Sequence, residues 1–256
     1  MKTFKLSIVL LVLLGAVSCK KDNSASTSVT TDQAADLAAG SLASDSFGLT
    51  TVSDAVAVNA QTLSSTGGQS VNSLGASSVH QACGTTLTDS ITNSGSDGPR
   101  TFSYTVKFVR TLNCNVDQHP DNLANNVAFH GNFDGPNLTT TGAGTAVFTI
   151  AGLTQQATNF VINGEYKRTG SFQSKVGNKT SGQSDIDIVA TNITLAKPSR
   201  KIVSGSATIS ITGSTTKNGS YSYTGNIVFN GDGTATLTIN GSVYGIDLVT
   251  GVRVKH

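Results

Sequence analysis

A mainly β fold is predicted, an antiparallel meander forming a sandwich or a curved, partly closed sheet. Three observations predict it. Apolar residues recur at every second position from residue 83 onward, the pattern of strands with one buried face. Asn-Gly and Asp-Gly pairs interrupt those runs, and these residues reach the positive φ of tight hairpin turns at little cost. Glu165 is the only glutamate among 15 acidic residues, so the acid that favours helices is almost absent while Asp, Asn and Gly, which favour turns, abound.

The strands can be followed in order. Leu87, Asp89 and Ile91 alternate with Thr86, Thr88 and Ser90. Phe102, Tyr104, Val106 and Phe108 form one face of the next strand, and Val127, Phe129 and Phe133 mark another. Residues 146–150, 160–162 and 186–188 continue the series. Ala207, Ile209 and Ile211 share a face, followed by Tyr221 and Tyr223, Ile227 and Phe229, Leu237 and Ile239, and a last stretch from Val243 to Val254. About ten strands are expected. Asn163-Gly164, Asn218-Gly219, Asn230-Gly231, Asp232-Gly233 and Asn240-Gly241 are read as turns. The template N-G-x-Y-x-x-T-G occurs at 163–170 and again at 218–225, a weak sign of internal duplication.

The region before the strands reads differently. Thr31-Asp32 would cap a helix over 33–43, where Ala34, Leu37, Ala38 and Leu42 fall at helical spacing. A second helical stretch runs through Val52, Ala55, Val56 and Asn59, and residues 64–80 return to Ser/Gly-rich loop. Residues 31–82 are thus a small helical and loop region, and 83–256 an antiparallel β domain.

Residues 1–18 have secretory signal architecture. Lys2 and Lys5 give a positive start, residues 6–14 an apolar run, and Gly15-Ala16-Val17-Ser18 small residues leading into Cys19. The apolar run is shorter than the ~20 residues that span a bilayer as a helix. Ala16-Val17-Ser18-Cys19 resembles the lipobox of bacterial lipoproteins, with Ala16 in the place usually held by Leu. The resemblance implies cleavage before Cys19, its acylation, and residues 19–30 as a lipidated, flexible tether. Ala16-x-Ser18 also fits an ordinary secretory site. Lys20 and Lys21 stand where Asp would retain a lipoprotein in the inner membrane of some bacteria, which leans toward the outer membrane. The Cys-Lys-Lys-Asp start and Ser/Thr-rich tether resemble lipoproteins of Bacteroidota. That likeness covers residues 1 to 30 and names no family for the β domain.

Charge and motifs narrow the function classes. Removing residues 1–18 takes Lys2 and Lys5 from 17 basic side chains and leaves 15 against 15 acidic ones. With no basic run, nucleic acid is not an expected partner. No G-x-S-x-G, HExxH or phosphate-cradling glycine loop occurs, so no catalytic residue is assigned and the protein is read as not an enzyme. With Cys19 given to lipid, Cys83 and Cys114 remain, and export favours their disulfide. The alternatives are two free thiols, or a metal site with His80 and His119, though the close Cys–Cys spacing of zinc ribbons is missing. His130 lies in the same stretch. Asp185 and Asp187 share a strand face, and the simpler reading puts them in water with Ile186 and Ile188 in the core. Asn230-Gly231-Asp232-Gly233 is part of a calcium-loop pattern without its later bidentate acid, and reads as a hairpin turn. Asp89-Ser90-Ile91 matches a short O-glycosylation pattern of Bacteroidota, marking Ser90 as a candidate acceptor. Tyr166, Tyr221 and Tyr223 are candidates for stacking on a glycan if exposed, though tyrosines on strands are more often partly buried packing. A membrane-spanning barrel would need an outward apolar band that these Ser- and Thr-bearing strands lack.

The expectation is a lipid-anchored envelope protein with a non-catalytic β-rich binding or scaffold domain. It needs no cofactor or metal. Its partners are the membrane, through the N-terminal lipid, and an envelope protein or glycan. One alternative is an anchored polysaccharide hydrolase using two Asp carboxylates, or one Asp with Glu165. A second is a β-sheet lipid carrier or chaperone with a greasy concave face.

Overall fold

The computed structural model describes residues 29–65, 81–177, 179–216 and 219–256. Two helices precede a single meander. They are α1 (Thr31–Leu42) and α2 (Leu49–Ser65). The strands are β1 (Thr86–Asp97), β2 (Arg100–Cys114), β3 (Pro120–Asp134), β4 (Leu138–Ala151), β5 (Asn159–Ser174) and β6 (Ser181–Ala196). They continue with β7 (Ile202–Thr215), β8 (Gly219–Phe229), β9 (Thr234–Ile239), β10 (Ser242–Asp247) and β11 (Arg253–Lys255). Spatial order equals chain order, β1 to β11, every described pair is antiparallel, and the sheet is not closed into a barrel. The mainly β, curved and partly closed expectation holds, and it takes the place of the sandwich.

The alternation read from the sequence sets the two faces. Tyr104, Val106, Phe108, Val127, Phe129, Phe148, Ile150, Phe160, Ile162, Ile186, Ile188, Ile209, Ile211, Leu237 and Ile239 point inward and are buried. The sheet curls around its own helices. α1 touches β4, β7, β9, β10 and β11, while α2 touches β3, β4 and β5. A helix inside a curled sheet must be slim and apolar on most sides, and the A-A-D-L-A-A-G run of α1 supplies this. Ala34, Ala35, Ala38 and Ala39 are fully buried. The helix begins at Thr31, two residues before its predicted start, and ends at Leu42. Thr30 is the N-cap, its hydroxyl accepting the Gln33 N–H while Gln33 Oε1 accepts the Thr30 N–H, a capping box.

The link between the helices, residues 43–48, bridges the last strands to the second. Ser44 and Asp45 donate backbone N–H groups to Leu248 and Val249 carbonyls at 2.9 and 3.0 Å. On the other side, Tyr104 donates its hydroxyl to the Ser46 carbonyl at 2.7 Å, and Arg168 donates to the same oxygen at 3.1 Å. Arg168 also reaches Gly40 O in the last turn of α1 and Thr140 Oγ1 at 2.7 Å. A cation suits that position because the unpaired carbonyls at a helix end carry partial negative charge. The Tyr166 hydroxyl donates to Phe47 O at 3.2 Å, and burial pushes its pKa up to about 12. The Phe47 ring lies 4.9 Å from that of Tyr104 and 5.4 Å from that of Phe129. Gly48 has no room for a side chain, since a Cβ there would sit 2.6 Å from Leu42 C.

One predicted turn is a bulge. Asn163-Gly164 lies inside β5, where pairing to β4 runs on through Thr149↔Asn163 and Phe148↔Gly164. The register to β6 shifts there, and the Asn192 N–H donates to Asn163 Oδ1 at 2.8 Å. Gly164 takes φ 144° with Val147 O at 2.0 Å from an added Cβ, so only glycine fits. The first N-G-x-Y-x-x-T-G segment is therefore mid-strand, whereas Gly219 of the second opens β8 after a chain reversal. Asn240-Gly241 does turn the chain between β9 and β10, both residues at positive φ.

Candidate functional site

A cavity of about 630 Å³ opens at one end of the curled sheet. Four separate segments build it: the start of α2 with Ser44, the β6–β7 turn, the β8–β9 turn and the β10–β11 turn. Buried Leu195, Ile202 and Leu248 give it an apolar floor, with exposed Val249 beside them, and Asp54, Arg200, Lys201 and Asp232 give it charges of both signs. A volume in the range of small-molecule pockets, largely apolar with a few placed polar groups, is the usual form of a ligand site.

The polar groups are held by their surroundings. Arg200 Nε donates to Asp54 Oδ1 at 2.8 Å and Nη1 donates to Gln61 Oε1 at 3.1 Å, so α2 orients the guanidinium. Arg200 adopts φ 55°, a conformation uncommon for a long side chain, with its N–H on Ala196 O at 2.7 Å. Asp232 Oδ1 accepts from Thr234 Oγ1 at 2.6 Å and Thr234 N at 2.9 Å, and these bonds hold its pKa below the ordinary value. The Leu248 N–H donates to Gly233 O at 3.0 Å, tying two walls together. Thr51 Oγ1 donates to Ser44 O at 2.9 Å, holding the wall formed by Ser44 and the start of α2. The Lys201 side chain is exposed at the rim.

A second depression of about 440 Å³ lies on the outer face across β4–β7. Its walls carry hydroxyls and amides and no charge: Thr139, Ser171, Gln173, Ser181, Gln183, Ser214 and Thr216, with Gly182 lowering the floor. Nothing in the sequence marked either cavity. Each is assembled from strand ends and turns far apart in the chain, and no local spacing records that.

The residues singled out in the sequence are scattered over the molecule. Cys83 and Cys114 form a disulfide, S–S 2.05 Å, joining the segment before β1 to the end of β2. His119 is exposed in the β2–β3 turn and His130 is exposed on β3, while His80 and Cys19 lie outside the described residues. No group of three or more His, Cys, Asp or Glu that could hold a metal occurs among the described residues. Ser90 is exposed on the outer face of β1. Asp185 and Asp187 face out and Ile186 and Ile188 face in. Asp185 accepts from Thr169 Oγ1 at 2.7 Å. Lys167 Nζ sits 2.8 Å from Glu165 and 3.7 Å from Asp187. Burial, and then Glu165, raise the pKa of Asp187. These three carboxylates share an open sheet face with Lys167 among them, and none lines the two cavities above. Asp232 and its glycines form the β8–β9 turn.

The tyrosines weighed for glycan stacking serve as packing residues instead. Tyr166 and Tyr221 point inward and are buried, and Tyr223 is half-buried with its hydroxyl donating to Val29 O at 2.6 Å. The core face claims these aromatic rings because inward positions on β5 and β8 fall on the same alternation as Phe172 and Ile227.

No helix among the described residues is long and apolar enough to cross a membrane. Outward positions on the strands are mainly Thr, Ser, Asn and charged residues, the reverse of the apolar outer band of a membrane barrel. No protein-family model, no curated protein and no solved structure matches this chain.

Proposed function

We propose that this chain is a lipid-anchored protein of the bacterial cell envelope, held at the outer membrane through Cys19, whose β domain is a non-catalytic binding module. The observation that carries the binding role is the 630 Å³ cleft, with an apolar floor and oriented charges of both signs. Such a lining suits a polar ligand with an apolar side: a glycan or a segment of another envelope protein. The concave sheet face that a lipid carrier would keep for its cargo is filled by α1 and α2, which favours this reading over a carrier. The anchor rests on the lipobox-like Ala16-Val17-Ser18-Cys19 and the tether after it.

Two experiments test the two halves. Cells fed radiolabelled palmitate should label the wild type and not Cys19→Ala; equal labelling removes the anchor. For the cleft, the full chain in detergent is screened on glycan arrays and against envelope extracts, beside Lys201→Glu and Ile202→Trp. Capture lost in both variants supports the cleft. Capture undiminished in both places the binding surface elsewhere.

A further inference from the structure

The two edges of the sheet are built differently, and that difference carries an inference independent of the cleft. β11 is three residues long and bears Arg253 and Lys255, features that discourage a further strand from adding. β1 has twelve residues, no proline, no lysine and no arginine. It pairs with β2, and among the described residues its other edge makes no backbone hydrogen bond. A long row of unpaired N–H and C=O groups is a template for another strand.

We infer that β1 pairs antiparallel with β1 of a second copy of this chain, about a two-fold axis at Ile91, joining two curled sheets edge to edge. The residues of β1 select both occupant and register. Its outward row is Thr86, Thr88, Ser90, Thr92, Ser94 and Ser96, all exposed hydroxyl side chains. Its inward row is Leu87, Asp89, Ile91, Asn93 and Gly95, opposite Arg110, Phe108, Val106, Tyr104 and Phe102 of β2. Continuing the sheet with inward rows on one side requires a two-fold axis at a residue, because a slip of one position exchanges the faces.

At Ile91 the pairs are matched throughout. Ile91 meets Ile91, Asp89 meets Asn93, and Leu87 meets Gly95 of the other copy. On the outer side Ser90 meets Thr92, Thr88 meets Ser94 and Thr86 meets Ser96. Moving the axis to Ser90 sets Asp89 against Ile91 and Leu87 against Asn93. Moving it to Thr92 sets Ile91 against Asn93 and Leu87 against Asp97. The hydroxyl pairing has a precedent within the molecule. Thr86 and Thr111 are linked across β1–β2 at 2.8 Å, and Thr92 and Thr105 at 3.1 Å. No like charges meet, and Asp89 keeps its Arg110 partner on the inner face.

The test uses the full chain in detergent, with intact mass showing that Ser90 carries no sugar. Sedimentation velocity over a dilution series should give a dimer that dissociates on dilution. Amide hydrogen exchange should slow with concentration at alternate residues of 86–96 and not at 253–255. Ser90→Lys combined with Thr92→Lys places two pairs of ammonium groups opposite each other and should sediment as a monomer. Val254→Lys, on the opposite edge, should leave the dimer unchanged. A monomeric wild type, a dimer that survives the double substitution, or protection confined to another segment overturns the inference. So does a monomer whose β1 is protected only by a strand of a different envelope protein.

Discussion

The last strands and the first strands end the same sheet, yet they are secured by different means. The C-terminal edge is clasped from inside by α1. Arg253 forks onto Asp36, Nε at 2.7 Å from Oδ1 and Nη2 at 3.1 Å from Oδ2. One turn earlier in α1, Asp32 accepts from the Tyr244 hydroxyl at 2.6 Å and from Lys255 Nζ at 3.0 Å. Among the described residues, neither helix packs closely on the N-terminal edge. β1 relies on its ladder with β2, the Asp89–Arg110 pair and the Cys83–Cys114 bond. Three residues of β11 hold their place through ion pairs to α1, one of them buried, whereas twelve residues of β1 hold theirs through backbone and a covalent staple. A short edge makes too few ladder bonds to stand alone, so side-chain electrostatics must complete it.

That contrast can be broken at either end. The largest loss is expected for Asp36→Ala. The Asp36 side chain is 4% exposed, and its removal leaves the Arg253 guanidinium without its fork partner. Breaking one side of a buried pair costs about 3 kcal/mol or more. Urea unfolding of the variant should show this, with β11 amides exchanging fast. A wild-type urea midpoint would mean that the clasp adds nothing.

Replacing Cys83 and Cys114 together by Ser should cost nearly as much, about 3 kcal/mol from the released chain entropy of the closed loop. Here the exchange of β1 amides should rise while β10 and β11 stay protected. A uniform rise along the chain would show that the two edges unfold as one.

The smallest effect concerns pH. The Tyr244 hydroxyl, and then Lys255, hold the Asp32 carboxyl below its ordinary value of 3.8. The folded state therefore prefers the ionised form. Its contribution is present above 3.8 and is lost as pH falls through the lower folded value. Asp32 is half-exposed, so the slope is modest. Stability of the wild type should fall more steeply below pH 4 than that of Asp32→Asn. Parallel curves would remove Asp32 from the clasp.

Much of the meander was legible in the chain. Alternation at Phe102–Phe108 and at Ala207–Ile211 marked strands because one face of each must leave water. The short helices were legible at Leu37 and Val56, although α1 starts at Thr31 with Thr30 as cap. Asn163-Gly164 misled because the same two residues serve a turn and a bulge, and pairing with Asn192 selects the bulge. Tyr166 and Tyr221 showed their strand face but not whether that face met water or a helix. The cleft was not legible at all, since Asp54, Arg200, Asp232 and Val249 are neighbours only after folding.

The sequence by itself determined strand alternation, most of the turns, the pair of cysteines left once Cys19 is set aside, and a neutral, hydroxyl-rich exterior. These follow from local rules of period, turn conformation and charge. Tertiary structure decided that the sheet curls around α1 and α2 instead of packing on a second sheet. It placed Arg168 against the end of α1, clasped one edge through Asp36 and left the other without a strand partner among the described residues. Local pattern fixes which face of a strand is buried, and only the assembled chain fixes what covers it.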